Sequence, residues 1–97
     1  MFQIEMGSEG EIVFAGRFDA AQCAQAQAFV DSVAEPRVFD FGQLEYISSA
    51  GLGVLLKTQK RLMASGGRLR VRNVNPHIHD IFRYSGFDQI FEVERAG

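Results

Sequence analysis

The chain has 97 residues, 46% of them hydrophobic, with nine Phe, one Cys and a formal net charge of −2. That length leaves room for one hydrophobic core, so residues 1–97 are expected to form a single domain. A mildly acidic chain lacks the basic surface that nucleic-acid phosphates require, and the lone Cys23 excludes an internal disulfide. Met1-Phe2-Gln3-Ile4-Glu5 has neither a basic stretch nor a long apolar run, so no secretory signal is expected. No apolar run approaches the roughly 18 residues of a membrane span. A soluble, cytoplasmic domain without direct membrane insertion is the expectation.

Phe2, Ile4 and Met6 alternate with polar residues, and Gly7-Ser8-Glu9-Gly10 turns the chain into Glu11 to Gly16. Alternation on either side of a turn predicts a hairpin of two short strands. Asp19 and Gln22 have capping-box spacing, and Cys23, Ala26, Val30 and Val33 give the following helix one apolar stripe. Glu35-Pro36 stops that helix, because the residue before proline is pushed out of the helical region. Arg37 to Phe41 predicts a central strand, Gly42 to Glu45 a turn, and Tyr46-Ile47 the approach to a pair of serines.

From Ser49 onward, Leu52, Leu55, Leu56, Leu62 and Met63 recur at helical spacing. They predict a helix with one buried face, ended by Gly66-Gly67. Arg68 to Arg72 alternates strictly, which puts Leu69 and Val71 toward the core and the arginines on the opposite face. Asn75-Pro76 is a helix start, a cap residue followed by proline in the first turn. Ile78, Ile81 and Phe82 form the inner stripe of that helix, and Gly86 closes it. Phe87, Ile90, Phe91 and Val93 remain for a final short segment under the core. The order predicts an α/β fold: a mixed β-sheet with an antiparallel N-terminal hairpin and helices mainly on one face.

Few groupings of side chains suggest chemistry. Gly51, Lys57 and Thr58 fall at phosphate-loop offsets, but Leu56 stands where the second glycine belongs. The intervening apolar residues are a helix in progress, which cannot wrap backbone N–H groups around phosphate. The same Leu56 spoils a dinucleotide fingerprint at Gly51 and Gly53, which are read instead as allowing close helix packing. His77 and His79 lie two apart on a helix and point to different sides, so no metal is expected. Asp40 and Glu45 flank the third strand without a nucleophile or base beside them and read as solvated loop acids or caps. Arg68, Arg70 and Arg72, with Lys60 and Arg61, read as a solvated face paired with acids, or as a contact for an acidic partner. No enzyme activity and no cofactor are expected.

The informative junction is Tyr46-Ile47-Ser48-Ser49-Ala50-Gly51-Leu52-Gly53, where a buried strand becomes a helix. Hydroxyls there stand beside free backbone N–H groups and the positive end of the helix dipole, so added negative charge is tolerated. The bland alternative is that Ser49 is simply an N-cap or first-turn residue.

Ser48-Ser49-Ala50-Gly51-Leu52-Gly53 resembles the strand-to-helix motif of STAS domains, specifically those of bacterial anti-sigma factor antagonists. The resemblance extends over nearly the whole chain. It takes in Gly16-Arg17-Phe18-Asp19, Gly66-Gly67-Arg68-Leu69-Arg70-Val71, Asn73-Val74-Asn75-Pro76 and Ser85-Gly86-Phe87-Asp88-Gln89-Ile90-Phe91. It implies that Ser49 is the phosphorylated residue and that Asp19, Ser48, Ser49, Ala50, Gly51 and Leu52 meet the partner. It also implies the partners: an anti-sigma factor that is itself a serine kinase of the histidine-kinase-like ATPase type, and a serine phosphatase. The unmodified domain would bind the anti-sigma factor and phosphorylation would release it. Ser48 occupies the position usually held by Asp, which makes Ser48 a competing site. It also supports an alternative, a STAS adaptor of a transporter or sensor complex that works without phosphorylation. A nucleotide or lipid held at the helix N-terminus is a third possibility.

Overall fold

The alternating N-terminal segment forms β1 (Phe2–Met6) and β2 (Ile12–Phe18), paired antiparallel from Phe2↔Gly16 to Met6↔Ile12. The computed structural model describes residues 1–96. Asp19 and Gln22 engage as a capping box, but what they open first is a short 3₁₀ turn, Ala20–Gln22, which leads into α1 (Cys23–Ser32). Then come β3 (Val38–Ile47), α2 (Ser49–Met63), β4 (Arg70–Val74) and α3 (Pro76–Ser85). A second 3₁₀ turn, Phe87–Gln89, precedes β5 (Glu92–Arg95).

The sheet runs β1-β2-β3-β4-β5, with β2 through β5 parallel. Each crossover steps in the same direction, so the right-handed rule puts all three helices on one face. That face carries the core. Phe14 is its hub, with ring centroids 5.5 Å from Phe18, 4.8 Å from Phe39 and 5.2 Å from Phe41. Phe41, Phe82 and Phe91 continue the aromatic chain under α3. Leu69 and Val71 are fully buried, as the alternation of β4 predicts.

Four local expectations are corrected. Gly42 to Glu45 is not a turn but the middle of β3, because β2 supplies a parallel ladder through Ala15↔Gln43 and Gly16↔Leu44. Turn-prone residues are held extended, and the irregularity survives only as register shifts. Asp40 is accordingly a half-buried strand residue, not a loop acid. Met63 is 61% exposed although its neighbour Leu62 is buried, because the buried stripe runs through Leu55, Thr58, Gln59 and Leu62 and Met63 falls outside it. Val54, Thr58 and Gln59 are buried instead. Buried Gln59 is satisfied by accepting from the Leu69 N–H at 2.7 Å. Finally, a Cβ on Gly53 would meet nothing within 4 Å, so only Gly51 serves close packing.

The open face of the sheet is polar and internally paired. Arg70 meets Glu94 at 3.0 Å and Glu92 at 3.6 Å. Arg72 donates to Glu11 Oε2 at 2.8 Å and to Asp40 Oδ2 at 3.0 Å. Asp40 also accepts from Gly42 N–H at 2.8 Å and from Asn73 Nδ2 at 3.0 Å. Burial alone would raise the Asp40 pKa and is the largest single influence. The bond from Gly42, the bonds from Arg72 and Asn73, and the Arg72 charge together outweigh it, leaving Asp40 below the ordinary carboxylate value.

A different arginine ties the helices together. Arg61 of α2 donates to the carbonyls of Val30, Val33 and Ala34 at 3.2, 2.7 and 3.1 Å. These are the terminal acceptors of α1 and its exit, where helix carbonyls lack intrahelical partners and the dipole favours a cation. Arg61→Ala is expected to cost about 1–3 kcal/mol in urea unfolding, with Arg61→Lys recovering only part, since a point ammonium cannot span three carbonyls. Asp40 yields a pH prediction. Its depressed pKa contributes stability present above the unfolded value near 3.9 and lost as pH falls toward the lower folded value. Asp40→Asn should therefore be less stable at pH 7 and lose less on further acidification, measured as urea midpoints from pH 7 to pH 2.

Candidate functional site

Parallel pairing of β2 with β3 continues to Phe18↔Ile47, so both strands stop at the same level. The Ser48 N–H then donates to the Phe18 carbonyl at 2.9 Å. One side of the junction is thus Asp19 and its turn, and the other is Ser48-Ser49 and the start of α2. The residues singled out from the sequence do come together here.

Ser48 is the N-cap of α2, extended at φ −84° and ψ 167°. Its hydroxyl accepts from Gly51 N–H at 3.1 Å, while its carbonyl accepts from Leu52 N–H at 3.0 Å. It also stands against Cys23. Burial pushes the Cys23 thiol up, and its hydrogen bond with the Ser48 side chain pulls it partly back. Cys23 Sγ further contacts the Asp19 carbonyl at 3.5 Å. The Ser48 side chain is therefore half-buried and committed to the local structure.

Ser49 is different. It is the first residue of α2, is exposed, and its hydroxyl makes no hydrogen bond among the described residues. Ala50 beside it is exposed, Leu52 is half-buried, and Gly51 is buried against the sheet. A Cβ on Gly51 would lie 2.9 Å from Ile47 Cγ1 and 3.3 Å from the Phe18 ring. Glycine at this place lets the helix start press directly on the two strand ends.

Asp19, half-buried, donates its N–H to Gln22 Oε1 at 3.0 Å, and its carboxylate lies 3.8 Å from Arg17. Arg17 in turn covers the Tyr46 ring, 4.4 Å from its centroid, an arrangement the sequence pattern did not reveal. A groove of about 380 Å³ opens between α1 and α2, lined by Cys23, Ala24, Gln27, Ala50, Gly53, Val54 and Lys57. Ala24, Ala50 and Gly53 keep part of its lining low, while Gln27 and Lys57 bring polar groups to it. Among the described residues no group of three or more His, Cys, Asp or Glu is placed to hold a metal. No helix of those residues is long and apolar enough to cross a membrane. Gly51 to Thr58 lies wholly inside α2, so no phosphate loop exists there.

Comparison with known proteins places this geometry in a family. The family described as "Mlab, STAS domain" matches residues 3–93, and the chain belongs to the STAS domain family. It is 43% identical over 73 residues to BtrV of Bordetella bronchiseptica, named as a candidate anti-sigma factor antagonist; the match covers 75% of this chain and 63% of BtrV. It is 34% identical over 56 residues to the anti-sigma F factor antagonist of Paenibacillus polymyxa, covering 58% of this chain and 48% of that protein. The chain thus spans less than two thirds of each of these relatives. Among solved structures, the Bacillus cell fate determinant SpoIIAA in its phosphorylated form superposes with a TM-score of 0.69 at 24% identity, over 96% of this chain and 90% of that one. That likeness is one of fold.

The two glycines of α2 give a prediction of opposite signs. Gly53→Ala fills open space and should stabilise by about 0.5–1 kcal/mol through helix propensity. Gly51→Ala gains the same propensity but must displace Ile47 and Phe18, and overpacking of that kind costs about 1–3 kcal/mol, so it should destabilise. Paired thermal or urea melts of the two variants check both signs.

Proposed function

We propose that this chain is an anti-sigma factor antagonist acting by partner switching. Unmodified, it binds an anti-sigma factor through Asp19, Ser48, Ser49, Ala50, Gly51 and Leu52; phosphorylated on Ser49, it lets go. The anti-sigma factor is itself the serine kinase, of the histidine-kinase-like ATPase type, and a serine phosphatase resets the switch. The domain is regulatory and carries no catalytic residue. The reading rests on the names of the two sequence relatives and on the family match.

The observation that carries the choice of residue is the contrast between adjacent hydroxyls. Ser48 is occupied as a cap and packed beside Cys23, whereas Ser49 is exposed with its oxygen unengaged. A kinase reaches the second without disturbing the helix start. Phosphate there adds about −1.5 to −2 charges at pH 7, which the N-terminus of α2 tolerates in the free domain. In a protein contact without a matching cation, the same charge brings repulsion and desolvation. A loss of about 2–5 kcal/mol, the scale for an unpaired interfacial charge, lowers affinity by about 30-fold to several-thousand-fold. The fold persists while the contact is lost.

One departure favours a second reading. Ser48 stands where the family motif usually has Asp, and an adaptor in a transporter or sensor complex needs no modification at all. Titration calorimetry against a serine-kinase anti-sigma factor from the same organism separates the two. Ser49→Ala should bind like wild type yet take up no phosphate by intact mass. Ser49→Asp should bind at least about tenfold more weakly. Ser48→Ala should still be phosphorylated, at a stability cost of about 0.5–2 kcal/mol for the lost cap. Equal affinity of wild type, Ser49→Ala and Ser49→Asp, with no phosphate on the wild type, selects the adaptor.

A further inference from the structure

Sheet edges invite pairing unless something blunts them. The edge at β5 is blunted: it is four residues long and carries Glu92, Glu94 and Arg95. The edge at β1 is not. Phe2-Gln3-Ile4-Glu5-Met6 has one formal charge and no proline, and among the described residues β2 is its only neighbour in the sheet.

The direction of the free backbone groups follows from the pairing already made. Met1 carbonyl accepts from Arg17 N–H at 3.0 Å, and Gly7 N–H donates to the Glu11 carbonyl at 2.7 Å. Odd-numbered residues therefore aim their backbone groups at β2. Backbone groups alternate along a strand, so Phe2, Ile4 and Met6 aim theirs outward, away from the sheet.

We propose that two copies of this chain join along β1, antiparallel about a two-fold axis through Ile4, into one continuous sheet. This register is self-complementary. Ile4 faces Ile4 of the second copy, and Phe2 faces Met6, so every outward N–H and carbonyl of these three residues finds a partner. Their side chains share the helix-bearing face, where Phe2 and Ile4 are half-buried and Met6 is 46% exposed in one copy. On the open face, Gln3 falls opposite Glu5 of the second copy, so an amide meets each carboxylate and the two Glu5 side chains are not paired with each other. Gln3 and Glu5 form the pairs without ladder bonds across the joint, where side chains approach most closely. The joint lies at the sheet edge, beyond β2, and the Ser49 end of α2 takes no part in it.

Sedimentation equilibrium of the whole chain tests this. The apparent mass should rise from 10.8 kDa toward twice that value between about 1 μM and about 1 mM. Met6→Pro removes an outward donor that β2 does not use, and should abolish association with the melting curve retained. Gln3→Glu places like charges opposite each other twice and should weaken the dimer about 2- to 30-fold, while Gln3→Lys should tighten it by a similar factor. Both positions are exposed, so folding is unaffected. Ser49→Asp should leave self-association unchanged, which separates this proposal from the partner switch. A chain that stays monomeric throughout the range, or a dimer indifferent to the Met6 and Gln3 substitutions, overturns it.

Discussion

The hydrogen bond from Ser48 N–H to the Phe18 carbonyl, 2.9 Å long, is where the fold and the site become the same problem. It closes the parallel ladder of β2 and β3 at one level, so the chain leaving β2 and the chain leaving β3 emerge side by side. Parallel sheets collect their functional groups at the carboxyl ends of strands for this reason. Here the two exits are the Asp19 turn and the Ser48-Ser49 start of α2. Gly51 completes the arrangement, because any larger residue would drive the helix off Ile47 and Phe18. The exposure of Ser49 is thus set by buried contacts two residues to its C-terminal side.

The walls of this site are held from a distance. Arg61, three turns along α2, grips the last carbonyls of α1 and fixes the spacing of the two helices that flank the groove. The opposite face of the sheet follows a different logic. A parallel sheet with one face free of helices would normally expose apolar residues. Here Arg70 and Arg72 answer Glu92, Glu94, Glu11 and Asp40 across the strands, so that face is polar and satisfied within itself. Few of its charges are left over for a partner. Of the basic run that stands out in the sequence, Arg70 and Arg72 are spent on the sheet itself.

The kinds and order of elements were legible because periodicity is a local signal, and the cap at Asn75 is equally local. What escaped was non-local. Gly42 to Glu45 has turn chemistry, and only the neighbouring strand β2 holds it extended. Arg61 serves carbonyls 27 to 31 residues away, and backbone acceptors leave no trace in a side-chain pattern. Asp40 looked like a loop acid because its partners Arg72 and Asn73 belong to another strand. For the site, the serine pair was visible, but the division of labour within it was not. Adjacent serines have identical chemistry, and only the cap geometry separates a committed hydroxyl from an unengaged one.

That division gives the Ser48 departure a physical meaning. An aspartate cap and a serine cap both accept from the N–H three residues on, so replacing one by the other keeps the helix start. What changes is charge. An aspartate at this place would stand next to any group added at Ser49, and a phosphoryl dianion beside a carboxylate is opposed by like-charge repulsion. With Ser48 neutral, the acid on the facing turn is Asp19, whose carboxylate already lies 3.8 Å from the Arg17 guanidinium. The serine pair then carries no charge of its own, and a phosphate on Ser49 would be the first charge placed on it. A partner that reads charge at this junction would meet a larger relative change than on a surface already made acidic by its own cap.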